Sequence, residues 1–344
     1  MKLAPLLKVL HDDPAFTPRL VHTGQHYDDK MSGQFFRDLN IPAPDHSLEV
    51  GSGSHAVQTA EIMKRFEPVL LEEKPDAVVV VGDVNSTVAC ALVAAKLATP
   101  VVHIEAGLRS FDRSMPEEIN RVLTDAISEL LLITEESGRS NLLKEGIAAE
   151  RIHLVGNLMI DSLRWNLAGA SESDVHQRLG IQGHYGLVTL HRPANVDDMA
   201  KLGELLGTLE QIAREAPLYF PVHPRTRARM AEQSLAPAGI TLLEPQGYLD
   251  FLCLMSKASV VLTDSGGIQE ETTALGVPCL TLRDNTERPV TIDEGTNLLA
   301  GTRRETILAA WEQMRSQPKA GRVPKYWDGS AAVRCRDVLR AHFA

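Results

Sequence analysis

The sequence ASVVLTDSGGIQEE, residues 258 to 271, indicates the fold class most directly. An apolar, β-rich run leads directly into an acid, a serine and two glycines, and a helical segment with two early carboxylates follows. A strand, a glycine-containing turn and a helix form half of a βαβ unit, from which parallel sheets are built. The glycines and the free N–H groups of the helix start also indicate a site for an anion.

The same alternation of strands and helices extends outward in both directions. The run DAVVVVGD at 76–83 is apolar throughout, which is typical of a parallel strand buried on both faces. The alternation restarts after the helical stretch MIDSLRWNLAGA at 159–170. We therefore predict an α/β fold of two Rossmann-like, doubly wound domains with a cleft between them. The predicted domains are 1–165 and 166–328, followed by a C-terminal helix at 329–344 that packs back on the first domain.

Composition excludes several classes of protein. The 344 residues carry a net charge of −10, which argues against a nucleic-acid surface, and the short basic run HPRTRAR at 223–229 fits a solvated helix start. The four cysteines lie far apart without a C-x-x-C pair, as expected of reduced core residues in a cytoplasmic protein. No apolar run is long enough for a membrane helix, and no P-loop, GxGxxG or zinc-ligand spacing occurs.

Polar and charged side chains follow the predicted strand ends, where open α/β sheets bind ligands. Each also has a structural interpretation. Asp83 can cap a helix, and Glu117 or Glu118 can be partners of a helix dipole. His191 can be a core histidine, and His223 can orient a loop. Their accumulation at one sheet edge favours a functional site. The residues are Asp83, Glu105, Glu117, Glu118, His191, His223, Asp264 and Ser265.

The turn after Leu262 has the features of a diphosphate site. Its two glycines allow close approach of an anion, and Glu270 or Glu271 can accept hydrogen bonds from ribose hydroxyls. Acids in a first helical turn also stabilise the helix itself, so one of them can be structural. Arg283 and Arg288 follow the next predicted strand, and Arg288 can contact the diphosphate from the other side. The combination predicts that the second domain holds a nucleoside diphosphate.

Six motifs in this order, VGDVNST, HIEAGLRS, MPEEINR, LVTLHR, TDSGGIQEE and TERP, resemble the non-hydrolysing UDP-N-acetylglucosamine 2-epimerases. The resemblance covers nearly the whole chain. It implies the two-domain glycosyltransferase-B architecture, a homodimer, and interconversion of UDP-N-acetylglucosamine and UDP-N-acetylmannosamine without a redox cofactor. It also implies a role in supplying precursors of surface polysaccharides.

The resemblance implies a role for each matching residue. UDP leaves across C1–C2 to give 2-acetamidoglucal and adds back after C2 is reprotonated on the opposite face, which requires proton-transfer groups on both faces. Asp83, Glu105 and Glu117 match the acid/base carboxylates, and His191 matches a histidine near the sugar and diphosphate. Phe251 matches a residue of the uracil-binding segment but can equally be a core residue. The implied substrate-binding residues are Lys2 near the nucleotide, Gln246 and Phe251 at uracil, Ser265, Gly266 and Gly267 at phosphate, Glu271 at ribose and Arg288 at the diphosphate.

Two features depart from the family pattern. The chain begins within the helix that normally follows a first strand and an arginine-bearing loop, and from this we expect that the natural start lies upstream or that the chain was shortened. Some members bind a second substrate molecule through a glutamine-rich segment and an arginine. Here that segment reads QHYDDKM, with Gln25 and His26 retained, and Glu61 replaces the arginine. We therefore predict no activation by substrate.

Four other functions remain open. Hydrolysing epimerases release UDP and free N-acetylmannosamine, and other relatives epimerise diacetamido uronic acid nucleotides, although TERP favours the simple N-acetylglucosamine enzyme. A glycosyltransferase of the same architecture would need an acceptor site. The chain could also be an inactive remnant that binds a nucleotide sugar, against which the retention of the acid/base residues argues.

Overall fold

The computed structural model describes residues 1–24 and 41–343, and these divide into two compact units. Unit 1 comprises Met1–Ser162 together with the chain from Lys325 onward. Unit 2 comprises Leu163–Pro324. Both units contain parallel sheets with helical connections, which confirms the predicted α/β class. None of the helices in the described ranges is long and apolar enough to cross a membrane.

Unit 1 contains a parallel sheet built from continuous apolar runs. Its central strands are buried on both faces, as the runs VVHI and LLLI require. A separate pair of short strands lies before it in the chain, and the second strand of that pair was not predicted. The pair is β1 (Val21–His22) with β2 (His46–Ser47), and the sheet order is β3 (Val78–Val81), β4 (Val101–Ile104), β5 (Leu130–Ile133) and β6 (Ile152–Leu154).

The first and last helices of the chain pack against each other in unit 1. Leu6 and Leu10 of the first helix share an apolar cluster with Cys335 and Leu339 of the last helix. The buried carboxylate of Asp161 accepts hydrogen bonds from the first N–H groups of this last helix, at 2.8 and 3.1 Å. The helices are Leu3–His11, His55–Glu73, Asn85–Lys96, Pro116–Ile127, Glu136–Lys144, Leu158–Ser171, which continues into unit 2, and Ala331–Phe343, with a 3-10 turn at Ala149–Arg151.

Unit 2 contains a parallel sheet whose strand order reverses in the middle. The chain runs outward from β7 to β9 and then returns to pair β10 with β7, so that β7 and β10 flank a topological switch point. The short strand β12 was not predicted. The strands are β7 (Gly186–Thr189), β8 (Leu218–Pro221), β9 (Ile240–Leu243), β10 (Val260–Thr263), β11 (Cys279–Thr281) and β12 (Asn297–Leu299).

The helices of unit 2 cover both faces of this sheet. One apolar cluster joins β7, β8 and β10 to the long helices before β8 and after β12. The four cysteines of the chain are buried and form no disulfide, as predicted. The helices are Val175–Leu179, Pro193–Val196, Met199–Ala213, Pro224–Glu232, Tyr248–Lys257, Gly266–Leu275, Pro289–Asp293 and Arg304–Ser316.

Candidate active site

Glu105 lies at the carboxyl end of β4, as the sequence predicted, and is almost fully buried. Its φ of +69° is in the left-handed region, which is uncommon for a residue with a side chain and is often found at functional sites. One carboxylate oxygen, Oε2, lies 2.6 Å from the Nζ atom of Lys2. The other, Oε1, is buried and accepts no hydrogen bond from any described residue. An acceptor in that state is available for a substrate proton.

Asp83 follows β3 and is held from the side by the helix Pro116–Ile127. Its carboxylate forms an ion pair with the buried guanidinium of Arg121, and its backbone oxygen accepts a hydrogen bond of 2.9 Å from the side chain of Asn120. The N–H of Gly82 donates to the oxygen of Ile104, so the ends of β3 and β4 are adjacent. The predicted meeting of Asp83 and Glu105 at one edge of the sheet therefore agrees with the backbone pairing.

The adjacent Glu117 and Glu118 have different environments. Glu118 is buried and accepts hydrogen bonds of 2.9 Å from the N–H groups of Ser110 and Phe111. Burial alone would raise the pKa of Glu118, but these donors and the Arg121 guanidinium lower it. Glu118 is therefore a fixed anion that shapes the 110–111 turn. Glu117 is partly exposed in the first helical turn and has no hydrogen-bonding partner among the described residues, which leaves it free for chemistry.

In unit 2, His191 follows β7 and Asp264 follows β10, so both lie at the switch point. Asp264 is fully buried and accepts hydrogen bonds from the backbone N–H groups of His191 and Arg192 at 3.1 Å and from the side chain of Asn195 at 3.1 Å. Its carboxylate also lies 2.9 Å from Nδ1 of His191. Burial would raise the pKa of Asp264, but His191 and these donors lower it. The fixed carboxylate orients the imidazole, which is itself largely exposed.

The helix that begins at Gly266 has the geometry of an anion site. Ser265 is its N-cap, and its hydroxyl accepts a hydrogen bond from the N–H of Ile268. A Cβ atom at Gly266 would lie 2.5 Å from a terminal nitrogen of Arg288, so only glycine allows the guanidinium to lie against the helix start. Gly267 adds a second small residue in the first turn. This helix terminus and its arginine form a suitable partner for phosphate oxygens.

The structure separates the roles of Glu270 and Glu271, which the sequence left open. Glu270 accepts a hydrogen bond of 2.7 Å from Nε of Arg288 and therefore fixes the arginine. Glu271 is buried, and the hydroxyl of Tyr248 donates to its Oε1 at 3.2 Å. Burial, with a further contribution from the charge of Glu270, raises the pKa of Glu271 to about 8. Glu271 is thus largely protonated at neutral pH.

The positions of three other predicted residues do not by themselves indicate a role in binding substrate. Gln246 is partly buried, and its amide donates to the backbone oxygen of Glu244 at 2.7 Å. Phe251 is partly buried on the helix Tyr248–Lys257, which leaves both its uracil and its core interpretation open. His223 caps the helix Pro224–Glu232 and so orients a loop, one of its predicted alternatives.

The proposed regulatory positions are only partly described. Gln25 and His26 lie outside the described residues. Glu61 lies on the helix His55–Glu73, where it pairs with Lys64 at 2.7 Å and Arg65 at 3.4 Å.

Two residues that build the site were not predicted from the sequence, and the role of a third was not foreseen. Arg121 was not singled out, although its spacing in EEINR places it one helical turn after the glutamate pair. Tyr248 gave no signal, because a tyrosine at a helix start is usually a packing residue. Asp264 was noted as a strand end, but its role in holding the loop after β7 depends on the sheet order.

Comparison with known proteins places this geometry in a family. Residues 8–340 match the family model described as UDP-N-acetylglucosamine 2-epimerase. The UDP-N-acetylglucosamine 2-epimerase of Methanocaldococcus jannaschii is 43% identical, over 98% of this chain and 95% of that protein. A crystal structure of the enzyme from that organism, in complex with UDP-GlcNAc and UDP, superposes with a TM-score of 0.91 at 42% identity, covering 99% of this chain and 96% of that one. A UDP-2,3-diacetamido-2,3-dideoxy-D-glucuronate 2-epimerase of Pseudomonas aeruginosa is 38% identical, over 98% of this chain and 96% of that protein.

Proposed function

Because the chain belongs to the UDP-N-acetylglucosamine 2-epimerase family, we propose that it interconverts UDP-N-acetylglucosamine and UDP-N-acetylmannosamine. The observation that carries the proposal is Glu105, a buried carboxylate at a strand end. One of its oxygens accepts no hydrogen bond from the described residues, and the other pairs with a lysine. The C2–H bond of the substrate has no adjacent carbonyl to acidify it, so its removal needs a base of this kind.

In the proposed reaction, unit 1 supplies the proton-transfer groups. A carboxylate removes the proton from C2 as the C1–O bond breaks, and the electron pair of that bond leaves on the β-phosphate oxygen of UDP. The product is 2-acetamidoglucal. A second acid then delivers a proton to the opposite face of C2, and the UDP oxygen re-forms the bond to C1. Asp83, Glu105 and Glu117 are the groups proposed for these transfers, and Lys2 forms an ion pair with Glu105.

Unit 2 supplies the nucleotide site and the stabilisation of the leaving group. Ser265, Gly266 and Gly267 present the helix start to the phosphates, and Arg288 adds a cation beside Gly266. His191, oriented by a buried carboxylate, stabilises the departing diphosphate. Glu271 receives the ribose hydroxyls, and Gln246 and Phe251 contact uracil.

The proposal is tested by incubating the protein with UDP-N-acetylglucosamine in D2O and recording proton NMR spectra. We expect loss of the C2 proton signal and a new anomeric signal of UDP-N-acetylmannosamine. The Glu105→Gln variant preserves the shape of the side chain but cannot act as a base. It should turn over roughly 10²–10⁴-fold more slowly while still binding UDP. Free N-acetylmannosamine with UDP would instead identify a hydrolysing epimerase.

A second candidate function is epimerisation of a diacetamido uronate nucleotide, which the relative from Pseudomonas aeruginosa supports by its 38% identity. The two substrates differ at C3, which carries a hydroxyl group in one and an acetamido group in the other. They also differ at C5, which carries a hydroxymethyl group in one and a carboxylate in the other. The same NMR assay with both substrates decides between them. Faster conversion of the uronate would overturn the N-acetylglucosamine assignment.

We further propose that the enzyme is a cytoplasmic homodimer that supplies precursors of surface polysaccharides, as the resemblance implies. Buried, unpaired cysteines fit a reducing compartment. Sedimentation velocity would test the dimer, and a monomeric mass at micromolar concentration would overturn it. We also propose that substrate does not activate the enzyme, since Glu61 is an anion engaged with Lys64. Initial rates should then depend hyperbolically on substrate concentration, and a sigmoidal dependence would contradict this.

A further inference from the structure

Beneath the carboxylates of unit 1 lies a buried ion pair to which the proposed reaction assigns no role. His103, in β4, and Asp125, in the helix Pro116–Ile127, are both fully buried, and their Nδ1 and Oδ1 atoms are 2.6 Å apart. Arg109 lies 2.7 Å from the second oxygen of Asp125 and 2.6 Å from Glu145. The cluster is electrically balanced, with two cations and two anions.

Both nitrogens of the His103 ring are donors. Nδ1 faces the Asp125 carboxylate, and Nε2 lies 2.8 Å from the backbone oxygen of Gly82, which can only accept. Burial alone would lower the pKa of His103, but Asp125 and the Gly82 oxygen raise it. The ring is therefore an imidazolium. With both nitrogens engaged inside the protein, it cannot exchange protons with a substrate.

The hydrogen bonds of this pair end on backbone atoms next to the proposed acid/base residues. Gly82, which accepts from His103, immediately precedes Asp83. Asp125 accepts a hydrogen bond of 3.0 Å from the N–H of Gly107, two residues after Glu105. Asp125 also lies on the helix whose first turn carries Glu117. A single ion pair thus connects the three segments that carry the three carboxylates.

The turn at Gly107 shows how closely this backbone is constrained. Its φ is +77°, and a Cβ atom there would lie 2.5 Å from the backbone oxygen of Gly138. Glu105, two residues earlier, also has a left-handed φ, which is uncommon for a residue with a side chain. Such backbone persists only where its surroundings over-determine it, and the hydrogen bond from Gly107 to Asp125 is one such restraint.

We propose that His103 and Asp125 are positioning residues for the epimerisation, which fix the backbone on either side of Asp83 and Glu105 relative to Glu117. This inference rests on the proposed function. A buried ion pair is weak evidence for stability, because apolar side chains of similar volume often stabilise a core as well or better. The hydrogen bonds of this pair reach Gly82 and Gly107, in the segments that carry the proposed acid/base carboxylates. A purely stabilising pair would not need these contacts.

Two matched substitutions separate the two hydrogen bonds of His103. In His103→Gln the amide nitrogen replaces Nε2 and keeps the bond to Gly82, whereas in His103→Asn it replaces Nδ1 and keeps the bond to Asp125. We expect kcat to fall roughly 10–100-fold in each variant, since a displacement of about 1 Å is enough for such a loss. The KM for UDP-N-acetylglucosamine and the affinity for UDP should change less than about threefold, because all the proposed nucleotide-binding residues except Lys2 belong to unit 2. If either variant fails to fold, Asp125→Asn carries the same test at nearly constant volume.

A purely structural role predicts a lower Tm with an unchanged kcat per UDP-binding site, and that result would overturn the proposal. Hydrogen exchange measured by mass spectrometry provides a readout that does not need activity. Peptides that include Asp83 and Gly107 should exchange faster in the variants, whereas β10 peptides of unit 2 should not change. If the wild-type protein epimerises neither substrate, the proposed function fails on its own. In that case, unchanged hydrogen exchange around Gly107 in the variants would by itself overturn the proposed positioning role of His103 and Asp125.

Discussion

Glu271 should make unit 2 less stable as the pH rises, and replacing it by glutamine should remove this effect. The side chain is buried beside the hydroxyl of Tyr248, and burial raises its pKa from 4.5 to about 8. Between these two values the unfolded chain is ionised at this residue while the folded protein keeps the proton. The unfolded state therefore binds fewer protons, and the free energy of unfolding falls as the pH rises through this window.

The size of the effect follows from the two pKa values. With 4.5 in the unfolded state and about 8 in the folded state, Glu271 destabilises the protein by about 1 kcal/mol at pH 5.5 and by about 4 kcal/mol at pH 8. Glutamine has nearly the same shape, and its carbonyl can accept the tyrosine hydrogen bond without a charge. Between pH 5.5 and pH 8, the difference in unfolding free energy between Glu271→Gln and the wild type should therefore change by about 3 kcal/mol in favour of the variant.

The assay is urea unfolding at both pH values, monitored by tryptophan fluorescence, to which the buried Trp311 of unit 2 and the buried Trp327 of unit 1 both contribute. Comparing variant with wild type at each pH cancels the contributions of the other titrating groups. Glu232→Gln, at an exposed position of the same unit, is the matched control for the same substitution without burial. Equal differences for Glu271→Gln at pH 5.5 and pH 8 would refute the assignment of a protonated, buried Glu271. In the same variant, UDP should bind more weakly if Glu271 receives the ribose hydroxyls.

Three further substitutions test the geometry of the site. Asp264→Asn should reduce kcat more than it changes KM, and it should lower the free energy of unfolding by about 1–3 kcal/mol. The reason is that the amide cannot accept all the hydrogen bonds that the carboxylate accepts from His191 and Arg192. An unchanged kcat would contradict this. Gly107→Ala should destabilise unit 1 by about 3 kcal/mol or more, since its φ and a backbone oxygen 2.5 Å from the new Cβ both oppose the side chain, as a thermal melt would show. Lys2→Met should lower kcat roughly tenfold, because it leaves the buried Glu105 without its cation. Steady-state kinetics measures this, and a wild-type rate would contradict it.

The sequence was sufficient to predict residues whose role depends on the end of a strand. Asp83 and Glu105 follow apolar runs in unit 1, and His191 and Ser265 follow apolar runs in unit 2. Within each sheet, parallel strands bring their carboxyl ends to one edge. The α/β class followed from the same runs, since continuous apolar strands need cover on both faces. These inferences use only local pattern and the geometry of the βαβ unit.

Choices between neighbouring residues could not be made in this way. Glu117 and Glu118 share one helix start, as Glu270 and Glu271 share another, and propensity treats the members of each pair alike. Their environments differ through contacts distant in sequence, such as that between Tyr248 and Glu271. The strand β12 was missed for a related reason, because three residues after a short helix give too little periodicity to detect.

The two units use a histidine–aspartate pair in opposite ways, and the contrast explains why residue type alone does not identify a catalytic group. His103 is fully buried, and both of its nitrogens are satisfied within the protein, so it can only transmit position. The His191 side chain is 62% exposed, and only its Nδ1 is held, by a buried aspartate. Its Nε2 has no partner among the described residues and can face a phosphate. The number of ring nitrogens that the fold itself satisfies therefore separates the proposed positioning imidazole, His103, from the imidazole proposed to meet substrate, His191.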